Sequence, residues 1–273
     1  MVINPIVAAA LGGAAGGALG ALVGFLAQRI TPVSWHRIVV VVCAAAFAVA
    51  GGRLGATYGE QQAETPVGVE AQLFTDPDMA ALALAWKRAD PTSYQAFVAR
   101  IGAGLARRED RTAIINETRT TVMTQAKERL PRVDDAHVAE LIDVTADELR
   151  ALQTAKPEIC VAMMRGEPFG DVAPFIGPVL ARREMALLTA AFAADPNGAP
   201  AAMQQPQVEA ELTAIVNNLR IKFGDEVSLL SPQATVTGKE ARVCEIGAAF
   251  YDSMAQLPNG AGPRLMRNLM LTR

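Results

Sequence analysis

The side chains with the widest chemistry in this chain are three cysteines, Cys43, Cys160 and Cys244, and two histidines, His36 and His137. Cys160 and Cys244 lie 84 positions apart on separate helical segments. Neither has a second Cys or a His at ligand spacing, so a disulfide is the chemistry the pair offers, with two unrelated buried thiols as the alternative. In an oxidising compartment the two would join, and a loop of that size adds ~4 to 5 kcal/mol in the chain-entropy model. Cys43 falls within an apolar run and fills space like any small apolar residue. His137 stands beside Asp134, Asp135 and Glu140 at the start of an amphipathic segment. A cation site or a catalytic base could be built there, but a solvated histidine at a helix end accounts for the same residues. The acidic pairs Asp134-Asp135, Asp147-Glu148 and Asp225-Glu226 read as solvated faces, because neighbours on a helix turn their side chains apart. Arg107-Arg108 and Arg182-Arg183 read as surface charge, or as docking points for an acidic partner. No nucleophile elbow, phosphate loop, dinucleotide fingerprint or calcium loop is present, and no cofactor or metal site is expected.

The first element that positions these residues is an uncharged stretch, Pro5 to Gln28, in which Gly12, Gly16, Gly20 and Gly24 recur at every fourth residue. At ~1.5 Å per residue its apolar part reaches ~34 Å, enough to cross a ~30 Å hydrocarbon core. Six glycines weaken a helix in water, but in lipid the backbone closes its own hydrogen bonds and the glycine face becomes a groove for a second helix. A polar link, Gln28 to Arg37, leads to a second apolar run, in which Gly51, Gly55 and Gly59 repeat the interval and Arg53 can snorkel to the interface. The expectation is a two-helix transmembrane hairpin over residues 1–59, with spans at about 5–27 and 38–57, and a linker at 60–75. His36 and His137 would then sit on opposite sides of the membrane.

Arginines in short loops stay in the cytoplasm. The link holds Arg29 and Arg37, while the N-terminal tail holds none and the segment after the second span begins with Glu60. This favours an inner-membrane protein with both ends outside and the large domain in the periplasm, the cytoplasm being the alternative. Trp35, His36 and Arg37 before Ile38 to Phe47 and Ala48 to Ala50 also have the order of a signal peptide; the span upstream argues against that reading. Two buried core helices of a water-soluble protein are a third reading of the same runs.

From residue 76 onward the signals are almost entirely helical, which gives a mainly α fold with an extramembrane helical domain over 76–273. Asp76-Pro77 and Asp90-Pro91 each place an aspartate at the cap and a proline at the first helical position. A segment from Arg111 stops at Pro131, and Asp134 or Asp135 opens a run in which Val138, Leu141, Ile142, Thr145, Leu149 and Leu152 share a face. Pro157 interrupts that run, and a bend is expected near Gly177 and Pro178. Val208 to Phe223 and Val243 to Leu257 are further amphipathic helices, and Gly262 to Arg273 is a short one. The strand-like pieces are Val227 to Leu230 and Ala234 to Thr237.

Composition narrows the function classes. The chain of 273 residues is 51% hydrophobic with a net charge of −3, and the part after Glu60 carries −5, which gives no support for nucleic-acid binding. Gly12, Gly16, Gly20 and Gly24 with Gly51, Gly55 and Gly59 resemble the glycine zippers of small bacterial envelope proteins. That resemblance implies close helix packing and homo-oligomers, with no activity attached. The expected function is a non-catalytic, membrane-anchored envelope protein whose helical domain binds another protein as a scaffold or assembly factor. The alternatives are a glycine-zipper oligomer forming a small pore, or an enzyme with an unrecognised site in the helical domain.

Overall fold

The computed structural model describes residues 65–271, apart from residues 166, 168–171, 196, 199–202 and 232. The hairpin at 1–59, with Gly12, Gly16, Gly20, Gly24, Gly51, Gly55, Gly59, His36 and Cys43, lies outside the described residues. The described part is helical: α1 (Pro66–Leu73), α2 (Pro77–Ala89), α3 (Pro91–Ala106), α4 (Arg111–Arg129), α5 (Asp135–Ala155), α6 (Pro157–Arg165), α7 (Ala173–Ala193), α8 (Gln205–Phe223), α9 (Glu240–Ala255) and α10 (Ala261–Leu271). Short 3-10 turns at Leu130–Arg132, Gly224–Leu230 and Pro258–Gly260 join some of them. None of the described helices is long and apolar enough to cross a membrane.

Aspartate caps start the helices where the sequence puts them. Asp76 accepts from Asp78 N and Met79 N, Asp90 from Ser93 N, Asp110 from Ala113 N and Asp134 from His137 N, all at 2.9 to 3.2 Å. Each carboxylate satisfies an N–H that the first turn leaves without an intrahelical partner, and each complements the positive end of the helix dipole. Inside α7, Gly177 has φ 76° and ψ 167°, a conformation open to glycine, and Pro178 restarts the helix without needing a donor.

α5 is the central helix. Val138, Leu141, Ile142, Val144, Thr145 and Leu152 along it are completely buried, and α9, α7, α10 and α6 all pack on it. A second centre forms where α2, α3 and α7 meet: the Trp86 ring lies 4.7 Å from Phe97, 5.0 Å from Phe192 and 6.0 Å from Tyr94. Offset and edge-on contacts of this kind add to the area that the rings bury.

Two stretches differ from expectation. Residues 66–73, assigned to a linker, form α1, which buries Val69 and Leu73 against the body. Glu70 of α1 accepts from Lys87 Nζ at 2.6 Å and from Tyr94 Oη at 3.3 Å, tying α1 to α2 and α3. The strand-like piece at Val227 to Leu230 is a 3-10 turn with Val227 and Leu229 buried, and Ala234 to Thr237 is irregular chain between a bend at Ala234 and a turn at Thr237. No strand exists among the described residues to pair with either piece, so local hydrogen bonds such as Ser231 N to Ser228 O and Ala234 N to Ser231 O serve the backbone instead.

The approach of α10 to the end of α9 is close enough to test. A Cβ built at Gly262 would lie 2.3 Å from the Met254 carbonyl oxygen, an atom fixed in the backbone. Gly262→Ala is expected to cost about 2 to 3 kcal/mol by urea denaturation, as overpacking against an unyielding neighbour does. Gly247→Ala should cost less, because there the obstacle is the flexible thioether of Met164. The reverse ranking would contradict this account of the α9–α10 contact.

Candidate functional site

The most unusual chemistry in the body is a pair of carboxyl groups sealed inside it. Glu148 of α5 is 1% exposed and Glu184 of α7 is fully buried. Their helical register explains the placement. Position 148 is three residues after Thr145 and four before Leu152, within the stripe of α5 that faces the core, while Asp147 next to it faces outward. Position 184 stands in the same relation to Ala181 and Leu188 on α7, so the packing of α7 on α5 brings the two carboxyls together.

Burial pushes Glu148 up to about 8; nearby Glu184 and the charge of Arg183 oppose that rise, and the charge of Asp147 adds to it. An ionised carboxylate in a poorly solvated interior is costly, so burial favours the protonated form. Tyr251 of α9, 1% exposed, completes the group; burial first, and then the Glu148 charge, push its phenol upward.

A layer of ion pairs lies at the surface beside this group. Arg183 of α7 donates from Nε to Glu140 at 2.6 Å and from Nη1 to Asp147 at 2.7 Å, both on α5. Arg150 joins Asp147 at 3.0 Å and also Asp252 of α9. The side chains of this network are 31% to 45% exposed, and solvent limits what such pairs contribute to stability. Their effect is to fix the registers of α7 and α9 on α5.

Cys160 of α6 and Cys244 of α9 come together as the sequence predicts: their Sγ atoms are at disulfide distance, 2.25 Å, with Cα atoms 6.0 Å apart. Both residues are fully buried. His137 is at the exposed start of α5, where its ring nitrogen Nδ1 is 2.7 Å from Asp134 Oδ1. That carboxylate also accepts the His137 backbone N–H, so the two residues close a helix end. Arg107 pairs with Glu109 at 2.7 Å, and Arg182 is exposed. Among the described residues, no three His, Cys, Asp or Glu side chains are grouped to hold a metal ion.

The buried carboxyl pair corrects the expectation for Glu148, which the sequence analysis placed with Asp147 on a solvated face. Comparison of the chain with protein-family models, with curated proteins and with solved structures finds no match.

Proposed function

We propose that this chain is a membrane-anchored envelope protein whose helical body stands on the periplasmic side of the inner membrane and binds another protein as a scaffold or assembly factor. The observation that carries this reading is the Cys160–Cys244 pair, two buried sulfurs at disulfide distance within the body. Disulfides persist in oxidising compartments and are rare in a reducing cytoplasm. The periplasmic side is also where the arginines of the Gln28 to Arg37 link would leave the body. A non-catalytic role is supported by the placement of the ionisable groups. Glu148 and Glu184 are closed off from solvent, and the His137–Asp134 pair, which an enzyme reading would use first, closes the start of α5.

The test uses the full-length chain in cells with a permeabilised outer membrane. A membrane-impermeant thiol reagent should label a probe at Gln62→Cys and leave one at Ser34→Cys unlabelled. Cys160 and Cys244 should resist alkylation until a reductant is added. Labelling at position 34 alone, with both native thiols alkylated directly, would place the body in the reducing compartment and overturn the reading. Crosslinking in the same membranes should give one discrete heteromeric adduct; a chain that crosslinks only to itself would remove the scaffold role.

A further inference from the structure

We propose that α1 lies on the membrane surface, with Val67, Ala71 and Phe74 seated in the lipid interface. The inference rests on the membrane-anchored reading above and extends it from the chain before residue 60 to one face of the body. α1 is apolar on two sides. Val69 and Leu73 are buried against the body, while Val67, Ala71 and Phe74 follow one another at helical spacing along the opposite side and are exposed, Val67 at 77%. Helices that are apolar all round are covered all round, and the outer row of α1 has no cover from the body.

The local chemistry of α1 keeps that outer row uncharged. Thr65 Oγ1 accepts from Gly68 N at 3.1 Å and Pro66 takes the first helical position, which fixes where the helix starts. Glu70 is the ionisable residue of α1, and its carboxylate is turned to the body, where it accepts from Lys87 and Tyr94. Ile221 of α8 is even more exposed than Val67, yet it stands alone between Arg220 and Lys222, as scattered apolar side chains on a wet surface do.

Lipid is the occupant because of where the chain comes from. The second apolar run ends at Gly59, and the seven peptide links from there to Pro66 reach at most ~25 Å at full extension. The headgroup layer beyond the hydrocarbon core is itself ~5 to 7 Å deep, so α1, the first helix after the run, cannot leave the neighbourhood of the bilayer. That short tether makes docking an intramolecular event. Three side chains then suffice where a free helix of this length would not stay bound. The same contact forms whichever side of the membrane holds the body.

The test uses the full chain with Cys43→Ala, reconstituted without reductant in phosphatidylcholine–phosphatidylglycerol vesicles. An environment-sensitive fluorophore is placed in turn on Val67→Cys, Phe74→Cys and Ile221→Cys. Lipids that carry a nitroxide just below the headgroup should remove most of the emission at 67 and 74 and little at 221. Val67→Glu/Ala71→Glu adds charge to the outer row without touching the core, so it should restore the emission of the probe at 74 and unfold in urea like its parent. Unquenched probes at 67 and 74 on a chain that resists alkaline carbonate washing would overturn the lipid contact and leave the anchored reading standing. A chain that washes off the vesicles would overturn both. Probes shifted to the blue yet unquenched would mean that protein covers α1, either a second copy or the chain before residue 65. Quenching as strong at 221 as at 67, or persisting in the double variant, would mean that the outer row of α1 is not the docked face. Each of these last results overturns the proposal.

Discussion

Cys160→Ser is expected to lower the stability of the oxidised body by about 4 to 5 kcal/mol, in line with the chain entropy released when an 84-residue loop is opened. A typical domain has only ~5 to 15 kcal/mol in total, so the variant should melt far below the wild type, and urea denaturation compares the two directly. The loop runs from α6 to α9 and encloses α7 and α8. Opening it frees two helices in the unfolded chain without deleting a large core side chain from the folded one. The control is the wild type with a reductant, which should fall to the level of the variant, while the variant itself should not respond. Equal stability of wild type and variant under oxidising conditions would show that the two sulfurs are not bonded.

The second large effect is expected at Arg267. Its side chain is 1% exposed, and it donates from Nε to the Pro131 carbonyl at 2.9 Å and from Nη2 to the Val133 carbonyl at 3.0 Å and Asp135 Oδ1 at 2.8 Å. It therefore holds α10 against the turn that enters α5. Arg267→Ala removes three hydrogen bonds, leaves two carbonyls short of a donor and opens a cavity, which together should cost about 3 to 5 kcal/mol. Asp135→Asn should cost under about 1 kcal/mol, since the Asp135 side chain is 60% exposed and water can replace the ion pair. Similar losses for the two variants in urea denaturation would mean that the carbonyl contacts contribute nothing of note.

Much of the body could be read from local chemistry. Asp76-Pro77, Asp90-Pro91 and Asp134 announce helix starts because a carboxylate acceptor and a donor-free proline each solve the problem of the first turn. The Val138 to Leu152 stripe predicted the buried face of α5. What escaped detection was the pair of charged residues inside such stripes. Glu148 reads as solvated when it is grouped with its neighbour Asp147, yet its spacing from Thr145 and Leu152 places it on the buried face, and Glu184 stands in the same relation to Ala181 and Leu188. Position in the period was the usable signal, and the preference of carboxylates for water concealed it.

Errors elsewhere came from tertiary context. The polar, Pro- and Gly-containing composition of 60–75 suggested a linker, but Val69 and Leu73 are spaced to share one face of a turn-length helix, and α2 and α3 offer that face a surface. Val227 to Leu230 has the apolar alternation of a strand, although a strand becomes stable only where another segment completes its hydrogen bonds. Among the described residues nothing does so, and the segment coils after Gly224, where φ is 59°. The meeting of Cys160 with Cys244 was inferred from their number and setting, since sequence separation alone does not fix a pairing.

The seat of Arg267 also bears on when the body can close during synthesis. The carbonyls it bonds to lie 136 and 134 positions earlier in the chain. Contacts of such separation form only after the intervening segment has emerged. A nascent chain that has reached α9 already displays α5, yet the groove that receives Leu265, Met266 and Arg267 is still open to the surroundings. Apolar surface uncovered in this way invites association with other unfinished chains. A chain halted before α10 would therefore leave this groove uncovered, with the turn at Pro131 to Val133 short of the donors that Arg267 supplies.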